Sequence, residues 1–280
     1  MDRYFHLTVR AYRAPVSLCA HEVASWVWDH LREAFPRALT ALLMPNHPHL
    51  ITPARDGDEA RRLLAHVLGG LRRSHNPGAA LRCEPVPPPI LIKDEQELGR
   101  QMRYTVLNPS RAGFVDDPLS WPWSTHRDVV GAIADPWVTG ERLGASLGPR
   151  LASAQDIHAY VSGDPSVAIA GTPFPFDDGF TDVSEVPLLW VMQAAASATR
   201  GCVDDVRART HTRRAFVQLA HRAGWRDTGV LAAACNTTTQ AVRDHLRQAP
   251  RELGAAALCL SDARLRVSKT YVMPRRRKAG

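Results

Sequence analysis

The sequence predicts an α+β protein in which a sheet domain is followed by an all-α domain. The amino-terminal part alternates strand-like and helical patterns of apolar residues, in the order strand, helix, strand, strand, helix, which is typical of a compact α+β sheet domain. After residue 185 only helical spacing is found, and the preceding stretch is rich in Pro, Gly and Asp. We therefore expect a first domain over 1–165, a linker over 166–184 and a second domain over 185–280.

The elements of the first domain follow from local patterns. Residues 4–10 alternate and are rich in aromatic and β-branched side chains, which predicts a strand. Apolar residues at helical spacing predict helices over 17–35 and 58–73. Between them, the largely apolar stretch 38–43 predicts a buried strand, and a tight Pro-Asn turn returns the chain as a paired strand over 47–53.

A proline-rich stretch separates this hairpin and helix from a third helix. Residues 76–93 are expected to be irregular, except for a short strand over 90–92. Helical spacing then resumes at Asp94, and the helix is predicted to stop at Pro109.

Two histidines stand two positions apart on the returning strand. Side chains at that spacing share a face, so His47 and His49 project together, as the ligands of a metal ion must. The alternative is a pair of unconnected polar residues on a solvated strand.

The third helix carries a second pair of polar side chains. Tyr104 and Asn108 are four residues apart and therefore lie on one face of the helix. Alone, Tyr104 is equally explained as a half-buried aromatic residue, and Asn108 as a carboxyl-terminal cap.

Composition limits the class of protein. The chain has 280 residues and a net charge of +7, which suggests a polyanionic partner. Its five cysteines form no C-x-x-C motif, which argues against a zinc ribbon or a disulfide framework. The sequence begins without a signal-peptide pattern and has no apolar run long enough to span a membrane, so we expect a cytoplasmic protein.

Three motifs then point to a family. Residues 44–51 (MPNHPHLI), 104–115 (YTVLNPSRAGFV) and 121–125 (WPWST) resemble, in this order, the signature blocks of the IS200-like, single-tyrosine HUH transposases, in particular the REP-associated branch. Residues 137–161 also resemble the helical tail of that branch, so the resemblance covers about 1–165. It implies a ferredoxin-like sheet that carries the histidine pair, beside a helix that presents a nucleophilic tyrosine.

The resemblance also implies a chemistry. By position, His47, His49 and Asn108 would bind a divalent cation, and this donor set suits Mg²⁺ or Mn²⁺. Tyr104 would attack a phosphate of single-stranded DNA, form a 5′-phosphotyrosine and release a 3′-hydroxyl. The family's DNA ends are typically hairpins, so a folded single strand is the expected substrate.

Basic side chains near these elements are candidate DNA contacts. Arg72 and Arg73 lie on the polar face of the second helix, and Arg111 follows Asn108 at the end of the third. Such a face is equally explained as simply solvated, although it can also track a phosphate backbone.

The second domain contains a helix-turn-helix pattern over 228–246. A small residue, an apolar residue, a left-handed turn residue and a helix cap fall at Ala232, Cys235, Asn236 and Thr238. Core positions are expected at Val242 and Leu246. The arrangement resembles the DnaA-type domain that some REP-associated transposases carry.

That resemblance implies a second DNA contact, to a duplex. The side chains expected to face the major groove are Thr239, Gln240, Arg243 and Arg247. A small helical bundle with a solvated polar face is the alternative. The basic tail over 275–278 would add non-specific affinity for phosphates.

Two other classes of function each have a feature of the sequence in their favour. A DNA-binding protein that kept the scaffold but lost catalysis is one, because Pro48 replaces a bulky aliphatic residue of the family and removes a donor from an interior strand. An RNA phosphoesterase of the two-histidine type is suggested by His6-Leu7-Thr8, but the class needs two such motifs and the chain has one, so His6 is read as a strand-face residue. Whether the protein is a monomer or a homodimer is left open.

Overall fold

The computed structural model describes residues 3–12, 18–74, 82–164 and 186–266. It confirms the α+β class, with an antiparallel sheet in the amino-terminal part and helices in the remainder. The predicted linker, 166–184, and the basic tail, 275–278, lie outside the described residues.

The chain divides into two compact units. Among the described residues, the sheet unit comprises 3–12, 18–74, 82–129 and 137–164, and the helical unit comprises 130–136 and 186–266. The short segment 130–136 belongs to the helical unit because Ala134 donates its backbone N–H to Ala198, and Ala132 accepts a hydrogen bond from Cys259. The two units are therefore not consecutive along the sequence.

The sheet unit is built from short strands and six helices among its described residues. The strands are β1 (Arg3–Thr8), β2 (Ala11–Tyr12), β3 (Thr40–Met44), β4 (His47–Ala54), β5 (Arg82–Cys83) and β6 (Ile90–Ile92). The helices are α1 (His21–Ala34), α2 (Gly57–Ser74), α3 (Glu95–Arg111), α4 (His126–Val129), α5 (Gly140–Leu147) and α6 (Ala154–Ser162). The main sheet has the antiparallel order β3-β4-β1-β6, and β2 pairs with β5. With α1 before β3 and α2 after β4, this is the ferredoxin-like order.

Helices cover both faces of the main sheet. Phe5 of β1 packs so closely on α2 that a Cβ on Gly57 would lie 2.8 Å from its ring. Neighbouring strand residues point to opposite faces, so His6 lies on the other face, where Asn108 of α3 contacts His49. The histidine face of the sheet is thus the face covered by α3.

The motif over 121–125 extends the sheet beyond β3. Leu43 donates its N–H to the carbonyl of Trp123 at 3.0 Å, and Thr125 donates to Ala41 at 3.0 Å. The fully buried indole of Trp121 donates to the Leu43 carbonyl at 2.8 Å. These bonds satisfy the outer edge of β3, which would otherwise expose unpaired backbone groups.

Pro48 occupies β4 without loss of a ladder bond. The N–H of Leu43, its partner across the hairpin, points away from β4 toward Trp123. In an antiparallel ladder, the backbone groups of Pro48 must then face β1, where pairing ends at Thr8 opposite His49. The Pro48 carbonyl accepts a hydrogen bond from the Thr8 hydroxyl at 2.9 Å, so the proline closes the ladder rather than interrupting it.

Helix α3 starts where the sequence predicts and ends later. The carboxylate of Asp94 accepts the N–H of Glu97, which is an N-cap hydrogen bond. The prediction that Pro109 stops the helix is wrong, because α3 continues to Arg111. A proline in the last turn removes only one helical bond, and the backbone N–H groups of Ala112 and Phe114 still bond to carbonyls of that turn.

The described residues of the helical unit contain helices but no strand. Its helices are α7 (Leu188–Ala198), α8 (Asp205–Ala208), α9 (Thr210–Arg222), α10 (Thr228–Cys235), α11 (Thr239–Arg247) and α12 (Leu253–Ser261). The core is made of small and aliphatic side chains around Phe216, which is fully buried. Within the described ranges, no helix is both long enough and apolar enough to cross a membrane.

Candidate active site

The hairpin of β3 and β4 brings His47 and His49 side by side. Their ring centroids are 4.7 Å apart, and the rings are steeply inclined to one another, at 70°. His49 is buried at 6% exposure, whereas His47 is half-buried at the end of the strand. The two-residue spacing therefore produces the shared face that the sequence predicts.

Asn108 reaches this pair from α3. Its amide nitrogen lies 3.1 Å from Nε2 of His49, although the two residues are 59 positions apart in the sequence. The alternative of a capping residue is wrong for Asn108, because the helix ends at Arg111, Ala112 is its C-cap, and the Asn108 side chain contacts His49.

Tyr104 lies one helical turn before Asn108 and is 48% exposed. The guanidinium of Arg111 lies 5.6 Å from the centroid of its ring. Arg111 is in turn held by Asp164, at 2.9 Å from nitrogen to carboxylate oxygen. The tyrosine is thus open to a ligand, and an arginine is anchored over its ring.

Sequence reasoning missed one neighbour of the site. His6 is buried, and its Nε2 lies 3.0 Å from Nδ1 of His49. The only local signal was its place on the first strand. Its closeness to His49 depends on the pairing of β1 with β4, which local patterns do not specify.

Hydrogen bonds assign the protons of both strand histidines. The Asn108 amide nitrogen donates to Nε2 of His49, so the His49 proton resides on Nδ1 and is donated to His6. In His47, Nδ1 lies 2.7 Å from the side-chain oxygen of Asn46 and donates to it. Both histidines are therefore unprotonated on Nε2, the nitrogen that in His49 accepts the hydrogen bond from Asn108.

The electrostatic environment keeps these imidazoles neutral. Burial, reinforced by the neighbouring His47 and His6, lowers the pKa of His49 to about 2. Burial and the charge of Arg10 also lower the pKa of His47. Neutral imidazole is the form that binds metal ions.

The three side chains fit a divalent cation with open positions. They offer two imidazole nitrogens and, when the amide of Asn108 turns its oxygen rather than its nitrogen toward His49, one oxygen. Three protein ligands would leave positions open for phosphate oxygens and water, whereas structural zinc sites are closed.

The basic residues of the sheet unit that the sequence proposes as DNA contacts are Arg72, Arg73 and Arg111. The side chains of Arg72 and Arg73 lie outside the described residues, although their backbone forms the end of α2. Arg111 pairs with Asp164, which also lies 3.5 Å from Arg103. Arg10, which the sequence did not single out, is exposed and acts electrostatically on His47.

Helices α10 and α11 are joined by a short turn. Asn236 ends α10 in the left-handed conformation, with φ at 50°, and the hydroxyl of Thr238 caps α11 by accepting the N–H of Ala241. Val242 is buried as predicted. The prediction of a core position at Leu246 is only partly met: Leu246 is half-buried, and His245 is the more buried residue, its carbonyl accepting from Gln218.

The side chains expected to read DNA all lie on the exposed face of α11. They are Thr239, Gln240, Arg243 and Arg247. Asp244 lies among them and accepts hydrogen bonds from Gln240 at 2.9 Å and from Arg247 at 3.3 Å. Asp244 and Arg247 therefore form an exposed ion pair on this surface.

Acidification is expected to destabilise the sheet unit through His49. The pKa of this imidazole is about 2 in the folded chain but 6.5 when unperturbed. Below pH 6.5 His49 becomes protonated in the unfolded chain but stays neutral in the folded chain. The free energy of unfolding therefore falls by about 1.4 kcal/mol per pH unit.

The measurement is urea unfolding without added metal at pH 7 and pH 5, for the wild type and His49→Gln. The variant should lose part of the pH dependence, and His66→Gln, at an exposed position of α2, should not. If the free energy of unfolding changes by the same amount between pH 7 and pH 5 in the wild type and in His49→Gln, this account of His49 is contradicted.

No family model matches the chain, and no curated protein matches it. Among solved structures, the chain is similar to a REP-associated tyrosine transposase bound to a REP hairpin, with 19% sequence identity and a TM-score of 0.38, over 45% of this chain and 79% of that one.

Proposed function

We propose that the chain cleaves and rejoins single-stranded DNA in a metal-dependent reaction, with Tyr104 as the nucleophile. The observation that carries the proposal is the convergence of His47, His49 and Asn108 one helical turn from an exposed tyrosine. The neutral, oriented imidazoles support a role as metal ligands, and the exposure of Tyr104 supports contact with a large substrate.

Each residue then has a chemical role. The bound cation would polarise the scissile phosphate, and His47, His49 and Asn108 would hold it. The phenol oxygen of Tyr104 attacks phosphorus, and the bond from phosphorus to the 3′ oxygen breaks. The phenol loses its proton, and the released 3′ oxygen gains one to become a hydroxyl.

The phosphotyrosine link preserves the energy of the phosphodiester. A 3′-hydroxyl from another strand can attack it, release Tyr104 and restore a phosphodiester without ATP. The chain would therefore catalyse both cleavage and strand transfer. The target phosphate must be accessible, which favours an unpaired or hairpin strand, and the net charge of +7 suits a polyanion.

We propose further that α10 and α11 bind duplex DNA. The left-handed turn at Asn236, the Thr238 cap and the exposed polar face of α11 support this role. Gln240 and Arg243 suit the edges of adenine and guanine.

Covalent capture tests the catalytic proposal. The protein is incubated with single-stranded hairpin oligonucleotides from the flanks of its own gene and with Mg²⁺ or Mn²⁺, and denaturing gels reveal any adduct. A metal-dependent adduct supports the proposal. Tight binding of the same DNA without an adduct would favour a catalytically silent DNA-binding protein instead.

Arg243→Ala is expected to weaken binding of a duplex oligonucleotide from the same flanks by about 10-fold, since one base or phosphate contact is worth about 1–3 kcal/mol. Fluorescence anisotropy at two salt concentrations measures this loss. Arg222→Ala, which removes an exposed arginine of α9, is the matched control and should leave affinity unchanged. If the two variants bind the duplex with equal affinity, α11 does not contact the DNA through Arg243.

A further inference from the structure

We propose that His6 is a positioning residue, which orients His49 by accepting the proton of its Nδ1 so that Nε2 of His49 binds the metal. The inference rests on the proposed metal site and adds a residue that does not itself touch the ion.

The geometry of the contact is that of a hydrogen bond between buried rings. Nε2 of His6 lies 3.0 Å from Nδ1 of His49, and the rings are nearly parallel, with centroids 5.2 Å apart and an angle of 22°. His6 is only 5% exposed, so water does not compete freely for this bond.

Sheet register places the two histidines together. Thr8 of β1 is directly opposite His49 of β4, and His6 is two residues before Thr8 on the same face. His6 is therefore the diagonal neighbour of His49, on a rigid central strand rather than on a loop.

The direction of the bond follows from the third partner. The amide nitrogen of Asn108 can only donate, so Nε2 of His49 is the accepting nitrogen, and a bound ion would take this lone pair in place of the amide N–H. A neutral imidazole carries one proton, which must then reside on Nδ1 and be donated to His6. If His49 adopted the other tautomer, its Nε2 would carry the proton and could not bind an ion.

His47 is oriented by an equivalent hydrogen bond, which supports the interpretation. Its Nδ1 donates to the side-chain oxygen of Asn46 at 2.7 Å, again leaving Nε2 for the ion. Metal-binding histidines generally donate their second nitrogen in this way, and loss of the acceptor typically weakens metal affinity or activity by about 10- to 100-fold. The half-buried His47 uses an amide oxygen, whereas the buried His49 uses an imidazole.

The chain contains a matched control. His126 and His158, also in the sheet unit, form a second buried pair with a nitrogen–nitrogen distance of 3.0 Å, a centroid distance of 5.2 Å and an interplanar angle of 17°. Removing one ring of that pair disturbs packing in the same manner but leaves His49 unchanged.

The experiment compares His6→Gln and His6→Leu. Both side chains fill most of the space, but only glutamine retains an atom that can accept the His49 proton. Mn²⁺ affinity is measured from the electron paramagnetic resonance signal of the free ion. We expect His6→Leu to bind Mn²⁺ about 10- to 100-fold more weakly than the wild type, His6→Gln to recover most of that loss, and His158→Leu to bind like the wild type.

A second measurement does not involve metal. Nitrogen-15 NMR of the imidazole side chains, at a pH where they are neutral, should show His49 protonated on Nδ1 in the wild type and in His6→Gln. In His6→Leu the Nε2-protonated form should become populated.

The outcomes separate this inference from the proposed function. A wild type that binds neither Mn²⁺ nor Mg²⁺ would overturn both the metal site and the role of His6 in it. A wild type that binds Mn²⁺, together with a folded His6→Leu that binds it equally tightly, would overturn the role of His6 alone. An unchanged His49 tautomer in His6→Leu would do the same, and equal losses in His6→Leu and His158→Leu would reduce the effect to packing.

Discussion

Replacing Tyr104 by phenylalanine is expected to abolish the covalent protein–DNA adduct and to leave DNA binding within about 2-fold of the wild type. The variant lacks the only atom that can form the phosphotyrosine bond. Binding should persist because the ring remains, and substitutions at exposed positions typically change free energies by less than about 0.5 kcal/mol. Tyr104 is 48% exposed, so the fold should be unaffected.

The measurement pairs denaturing gels, which detect the adduct, with anisotropy titrations of the same hairpin oligonucleotide. Tyr160→Phe is the matched control, because this half-buried tyrosine of α6 packs under Arg103 in the same unit. That variant should form the adduct normally. An adduct that survives in Tyr104→Phe would assign the nucleophile to another residue.

Replacing His47 by alanine is expected to weaken Mn²⁺ binding by more than about 100-fold. Loss of a ligand should exceed the 10- to 100-fold effect typical of losing a residue that only orients one. His47 is half-buried at the first position of β4, so its removal opens no cavity in the core, unlike the removal of His49. Adduct formation should fall in parallel and recover in part at high Mn²⁺ concentration.

Titration of Mn²⁺ by electron paramagnetic resonance, followed by adduct yield at each concentration, tests this expectation. His30→Ala is the control, since His30 is also half-buried in the sheet unit but bonds to a carbonyl of its own helix α1. If His47→Ala and the wild type bind Mn²⁺ equally, His47 is not a ligand.

Local structure was largely predictable from the sequence. The hairpin that carries His47 and His49, the amphipathic helices and the left-handed turn at Asn236 all depend on nearby residues, through alternation, helical spacing and turn chemistry. The late end of α3 was not predicted, because a proline in the last turn costs a single bond and does not stop the helix.

Relations between distant segments were less predictable. The sequence indicates that Pro48 removes a donor, but only the register of β1, β3 and β4 shows that the missing donor lies beyond the end of a ladder. In the same way, residues 130–136 belong with the helical unit because of hydrogen bonds to segments far along the chain.

The sequence by itself determined which side chains share a face, namely His47 with His49 on a strand and Tyr104 with Asn108 on a helix, because the periods of strands and helices are local properties. Only the tertiary structure decided that Asn108 meets His49 and that His6 lies behind it. Those contacts join residues 59 and 43 positions apart, and they arise from sheet order and helix packing, which the whole chain sets together.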